Sequence, residues 1–85
     1  MEDILSSKGR VRVLRILYHF GEVNITKVVR ESRLNHKSVV KHLQILVKAG
    51  IVSERTVGRS KLYSINFTNP KTIALRDILS VLEER

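Results

Sequence analysis

From Asn24 to Lys61 the apolar residues change period, and this change constrains the fold more than anything else in the chain. Two short helical patterns lie on either side of a tight turn, and a two-strand hairpin follows, reversing at Val57-Gly58-Arg59-Ser60. The same stretch carries the charge. Residues 33–61 hold Arg33, Lys37, Lys41, Lys48, Arg55, Arg59 and Lys61 against the single acid Glu54, so six of the eight net positive charges lie there. The flanking segments are close to balance. The excess is therefore local, which suits a surface that meets a polyanion.

Local chemistry predicts where each element begins and stops. Ser7 caps a first helix over 7–20, in which Val11, Leu14, Ile16, Leu17 and Phe20 recur near helical spacing with Arg10, Arg12 and Arg15 on the other side; Gly21 ends it. Ile4 and Leu5, in a leading segment 1–6, suggest a small helix packed on the core. Val23 suits a brief strand, and Asn24 caps a second helix to about Ser32 with Val28 and Val29 inward. Asn35 caps a third helix from His36 to Ala49, closed by Gly50 in the left-handed conformation. On it Val39, Leu43 and Leu46 form the buried stripe, which turns His36, Lys37, Val40, Lys41, Gln44 and Lys48 outward. Strands are expected over Ile51 to Thr56 and Lys61 to Phe67, with Tyr63, Ile65 and Phe67 covering the core and Arg55, Arg59 and Lys61 around the tip.

The last segment supplies a partner. Asn69 as cap and Pro70 at the first helical position start a helix that runs to about Glu84. Its apolar arc of Ala74, Leu75, Ile78, Leu79, Val81 and Leu82 is wider than one face of a small domain absorbs. A homodimer interface built from Ile4, Leu5, Leu75, Ile78, Leu79 and Leu82 is expected, the alternative being a helix that merely wraps across the chain's own first helix. A twofold dimer sets its two third helices roughly 34 Å apart, one turn of DNA.

Composition removes several function classes. Eighty-five residues make one small domain, which buries roughly 60–65% of its unfolded surface. The chain has no cysteine, so disulfides, thiolate metal sites and thiol redox switches are excluded. No run of about 18 apolar residues offers a membrane span, and Glu2 and Asp3 after Met1 do not open a secretory signal. A cytoplasmic, nucleoid-associated location is expected. Ser38 and Ser60 lack a carboxylate–histidine companion and there is no glycine-rich phosphate loop or HExxH, so neither catalysis nor a cofactor is expected. His19 is read as a surface residue favoured by the end of its helix.

Helix, turn, helix and basic hairpin together describe a winged helix-turn-helix: α+β, mostly helical, with a two-stranded wing and an additional C-terminal helix. Ser7-Lys8-Gly9-Arg10 with Ile16-Leu17, the run from Ser38 to Leu46, Ala49-Gly50-Ile51-Val52 and Lys61-Leu62-Tyr63-Ser64-Ile65 resemble the ArsR-like winged-helix repressors of bacteria and archaea. The similarity spans about residues 6–66, and His42-Leu43 followed by Leu46 is its most specific part. It implies a homodimer that represses transcription at a partly palindromic operator, with His42 packed and hydrogen-bonded at the inner edge of the recognition helix. The chain also departs from the pattern. Metal-sensing members carry Cys-x-Cys on the second helix, where this chain has Val28-Val29-Arg30-Glu31. Others use histidine and carboxylates on the last helix, whereas Lys71 to Arg85 has no histidine and its Asp77, Glu83 and Glu84 do not collect three ligands on one face. No metal is expected. Arg33 stands where glycine is frequent and Val29 where a small residue is, so either Arg33 carries a strained dihedral or the turn differs.

On this reading the partner is double-stranded DNA. Gln44 and Lys41, with Val40 and His36, are the candidate base readers, since Gln suits adenine, Lys suits guanine and valine meets a thymine methyl; His36 equally suits a phosphate contact or plain exposure. Lys37, Ser38 and Lys48, with Arg55, Arg59, Ser60 and Lys61, are candidates for the DNA backbone. The same charge serves a non-specific architectural or RNA-binding winged helix. A protein–protein module of the transcription machinery would leave the basic face solvated, and an effector-responsive repressor finds little room for a small-molecule site outside the dimer seam.

Overall fold

The computed structural model describes residues 7–83, with side chains as far as residue 78. Helix α1 (Lys8–Phe20) starts where Ser7 Oγ accepts from the Arg10 amide at 3.2 Å, and it stops at Gly21, whose amide donates to the Leu17 carbonyl. Strand β1 (Val23–Asn24) leads into α2 (Ile25–Ser32), capped by Asn24 Oδ1, which accepts from the Lys27 amide at 2.9 Å. Helix α3 (His36–Lys48) follows after three residues, with Asn35 Oδ1 accepting from the Ser38 amide at 2.8 Å. These caps satisfy amides that have no partner inside the helix, so the register of all three helices is set by one polar residue each.

Helix α3 ends in a Schellman motif. The Gly50 amide donates to Val47 O and the Ile51 amide to Leu46 O, both at 3.0 Å, with Gly50 at φ 78°. Strands β2 (Val52–Val57) and β3 (Ser60–Ile65) then form the hairpin. Val57 pairs with Ser60, which leaves Gly58 and Arg59 as a two-residue turn. Gly58 has φ 60° while Arg59 does not share the positive sign, as in a type II′ turn, whose first central position favours glycine. The sheet is antiparallel with order β1-β3-β2, Val23 lying opposite Tyr63 and Asn24 opposite Leu62. Helix α4 (Pro70–Glu83) begins with Asn69 Oδ1 accepting from the Lys71 amide.

The core gathers one stripe from each element: Val13, Leu14, Ile16 and Leu17 of α1, Val28 of α2, Val39, Leu43 and Leu46 of α3, then Ile51, Val52, Tyr63, Ile65 and Leu75. Each such aliphatic side chain contributes about 1.5–3 kcal/mol by leaving water. Three expectations are corrected here. Phe20 is 41% exposed, because α1 buries Val13 and Leu14 with Ile16 and Leu17, a stripe that ends one turn before it. Phe67 is 49% exposed, because β3 ends at Ile65 and Asn66 turns the chain, so strand alternation no longer governs residue 67. Leu75, assigned to a dimer surface, is 1% exposed and belongs to the chain's own core, whereas Ile78 is 45% exposed. Ile4 and Leu5, and the side chains of Leu79 and Leu82, lie outside the described residues. The boundaries also shift by one or two residues: α3 ends at Lys48 with Ala49 as its cap, and the strands run Val52–Val57 and Ser60–Ile65.

The turn between α2 and α3 is braced from three sides. Arg33 has φ 62°, the only positive φ outside glycine among the described residues, and its amide donates to Val29 O at 3.0 Å. Ser32, 1% exposed, uses its hydroxyl both to donate to Val29 O and to accept from the Leu34 amide. Its carbonyl accepts from Arg12 Nη1 at 2.9 Å. The left-handed residue is thus held by its surroundings, which is how a non-glycine persists there.

Candidate nucleic-acid interface

Helix α3 has two chemically opposite faces. Val39, Leu43 and Leu46 are at most 1% exposed, so they lock the helix against α1 and the sheet. Across the helix His36, Lys37, Lys41, Gln44 and Lys48 are all exposed, and Ser38 and Val40 are half-buried along the edge. Among the described residues none of these seven has an ion-pair partner. Such a face is free to meet a ligand without first breaking internal bonds.

His42 occupies the inner edge of α3, half-buried against α1. A Cβ at Gly9 would stand 2.8 Å from its Nε2, so the absence of a side chain at Gly9 allows the two helices their close approach. The expected hydrogen bond is not made at Nδ1, which is buried with no partner among the described residues. Burial first, then the positive charges of Arg10 and Lys41, lower the pKa of this imidazole. Packing rather than hydrogen bonding holds it.

The wing divides the three arginine and lysine residues expected at its tip. Arg59 sits in the two-residue turn, exposed, and Lys61 lies in the second pair from the turn, 3.9 Å from Glu54. Arg55 lies further down β2 and forms a two-point bond with Glu22, Nε to Oε2 at 2.8 Å and Nη2 to Oε1 at 2.6 Å. That bond, together with the guanidinium charge, lowers the pKa of Glu22, and the same bond with the carboxylate charge raises that of Arg55. Asn24, Leu62 and Arg55 share a row of the sheet, and the pair runs across its outer face. Below the sheet, burial followed by the hydrogen bond and charge of Glu54 pushes the Tyr63 phenol up to about 12.

Sequence reasoning missed two neighbours of the wing. Arg59, Ser60 and Lys61 border a cleft of about 330 Å³ whose other wall is Asn24, Ile25 and Thr26 at the start of α2. Glu22 is the second, bonded to a residue 33 positions away. Neither relation has a local signal, since both depend on how β1 pairs with β3.

The three helices, the turn with its braced Arg33, and the hairpin behind α3 define a winged helix-turn-helix. Solved structures of that class superpose on the chain closely. A predicted DNA-binding transcriptional regulator from E. coli matches 98% of this chain and 82% of its own, with TM-score 0.80 and 20% identity. The homodimeric winged helix-turn-helix DNA-binding domain of Mb0332 from Mycobacterium bovis, a possible ArsR-family regulator, matches 96% of this chain and 73% of its own, with TM-score 0.75 and 22% identity. The transcriptional repressor PagR of Bacillus anthracis matches 94% and 85%, with TM-score 0.76 and 24% identity. The fold is therefore the one these regulators share. No protein-family model matches the chain, and no curated protein is similar to it in sequence. Among the described residues no helix is long and apolar enough to cross a membrane.

Proposed function

We propose that this protein is a sequence-specific double-stranded DNA-binding regulator, an ArsR-like repressor of transcription that acts as a homodimer in the cytoplasm, on the nucleoid. The observation that carries the reading is the division of α3: one face is locked in the core, and the opposite face offers Lys37, Lys41, Gln44 and Lys48 with His36 to an outside partner. A helix of this width enters the major groove, where Gln44 suits adenine and Lys41 guanine, and the half-buried Val40 meets a thymine methyl. Lys37, Ser38, Lys48, Arg59, Ser60 and Lys61 hold the backbone and set register. Arg55, bound to Glu22, serves the wing as a strut rather than as a phosphate ligand.

The dimer reading draws on Ile78, exposed on α4, and on the wide apolar pattern of that helix. Leu75 does not take part. Paired protomers set their α3 helices roughly 34 Å apart and read a pseudo-palindrome. Selection of bound duplexes from a random pool, alongside a solution mass, tests the whole proposal. Enrichment of a two-part site by a dimer is expected. An unenriched pool would leave a non-specific DNA- or RNA-binding protein, absence of any retardation at low salt would leave a protein–protein module, and a monomeric mass at micromolar concentration would remove the palindrome.

A further inference from the structure

A groove of about 300 Å³ runs along the surface between α1 and the end of α2, lined by Arg12, Arg15, Ile16, His19, Phe20 and Glu31. It shares no residue with the outer face of α3 or with the cleft at the wing. Its chemistry is two-sided. Ile16 and Phe20 give it an apolar wall, and Phe20 is 41% exposed as a residue, its ring packed with His19 at 4.6 Å between centroids and with the Lys27 ammonium 4.2 Å from its centroid. Arg12 and Arg15 give it two guanidinium groups. Among the described residues Glu31 is the only acid in the lining, and Lys27 Nζ at 3.3 Å offsets its charge.

Arg12 is oriented before any ligand arrives. Its Nη1 donates to the Ser32 carbonyl at 2.9 Å, so part of the ordering cost of a binding arginine is met within the fold. A guanidinium carries five donors, and a carboxylate accepts from two of them in one plane. An inorganic anion would leave the apolar wall unused, and a neutral apolar molecule would desolvate the arginines without replacing their hydrogen bonds. We propose that this groove binds a small organic carboxylate, its charged end on Arg12 and its apolar body against Ile16 and Phe20. The ligand then lies beside Ser32, the last residue of α2, and next to the turn that sets the angle of α3.

Titrating benzoate, acetate and benzamide into the isotopically labelled chain, followed by amide chemical shifts, tests this directly. Benzoate is expected to give saturable shifts centred on residues 12–20 and 31–33 with a Kd of about 1 mM or tighter. Acetate, which lacks the ring, and benzamide, which lacks the charge, are each expected to bind about tenfold more weakly. Phe20→Ala and Arg12→Gln should each weaken benzoate by about the same factor. Phe20 lies at the surface, so its variant keeps the test open even where Arg12→Gln loosens the turn. Absence of a saturable benzoate response in the groove by about 10 mM, or equal binding of benzamide, overturns the proposal. The titration uses the protein without DNA, so its outcome stands whatever becomes of the DNA-binding reading.

Discussion

Arg59 and Arg55 have the same side chain on the same hairpin, and on the proposed function they have opposite consequences for DNA binding. Arg59 stands alone in the turn, whereas Arg55 is neutralised by the Glu22 carboxylate. Each phosphate contact contributes about 0.9 to the slope of log K against log salt, and a dimer has two copies, so Arg59→Ala should lower that slope by about 1.8. Between about 0.15 M and 1 M salt this amounts to roughly thirtyfold in affinity, or about 2 kcal/mol at the lower concentration. Arg55→Ala should leave the slope within about 0.3 of the parent, because the pair it breaks releases no counterion from DNA. Fluorescence anisotropy on a labelled duplex, repeated from about 50 to about 200 mM salt, gives both slopes. Equal losses from the two variants would refute the reasoning, since they would require Arg55 to leave Glu22 for a phosphate.

Three further perturbations address stability and assembly. The lowered pKa of His42 means that the unfolded chain takes up a proton near pH 6.5 more readily than the folded one; stability is complete above that value and is lost as pH falls through the folded pKa. Urea midpoints should decline below about pH 6.5 and decline less in His42→Gln; an identical decline in both would place the titration elsewhere. At Arg33, glycine relieves about 1 kcal/mol of left-handed strain and adds a similar freedom to the unfolded chain, so Arg33→Gly should stay within about 1 kcal/mol of the parent. Arg33→Val, β-branched at φ 62°, should cost clearly more, and a neutral valine would show that the turn adapts. Ile78→Glu places a charge on an exposed position of α4 and should yield a folded monomer in sedimentation, with DNA affinity reduced; an unchanged dimer would move the seam away from this residue.

Much of this arrangement could be read from the chain because its determinants are local. Ser7, Asn24, Asn35 and Asn69 each cap the helix that follows, and Gly50 ends α3 as its missing Cβ permits. The inner and outer faces of α3 follow from a period of 3.6 alone. Phe20 and Phe67 escaped because periodicity says which direction a residue faces but not where the apposed surface ends. Leu75 escaped for a related reason: an apolar arc on a helix does not reveal how much of it the chain itself will cover. The Glu22–Arg55 bond and the groove along α1 arise between residues distant in sequence, and only the assembled fold brings them together. The left-handed Arg33 is the opposite case, visible as a residue out of keeping with its position.

The carbonyl of Gly50 accepts two side-chain amides, Asn69 Nδ2 at 2.8 Å and Asn66 Nδ2 at 3.1 Å. One of these residues caps α4 and the other turns the chain out of β3, while the oxygen itself belongs to the closing residue of α3. The tail of α3 and the root of α4 are therefore riveted at a single atom. In the proposed dimer, a torque applied to α4 by the second subunit would reach the C-terminal end of α3 through that rivet, so the pitch of α3 would be geared to whatever seats α4.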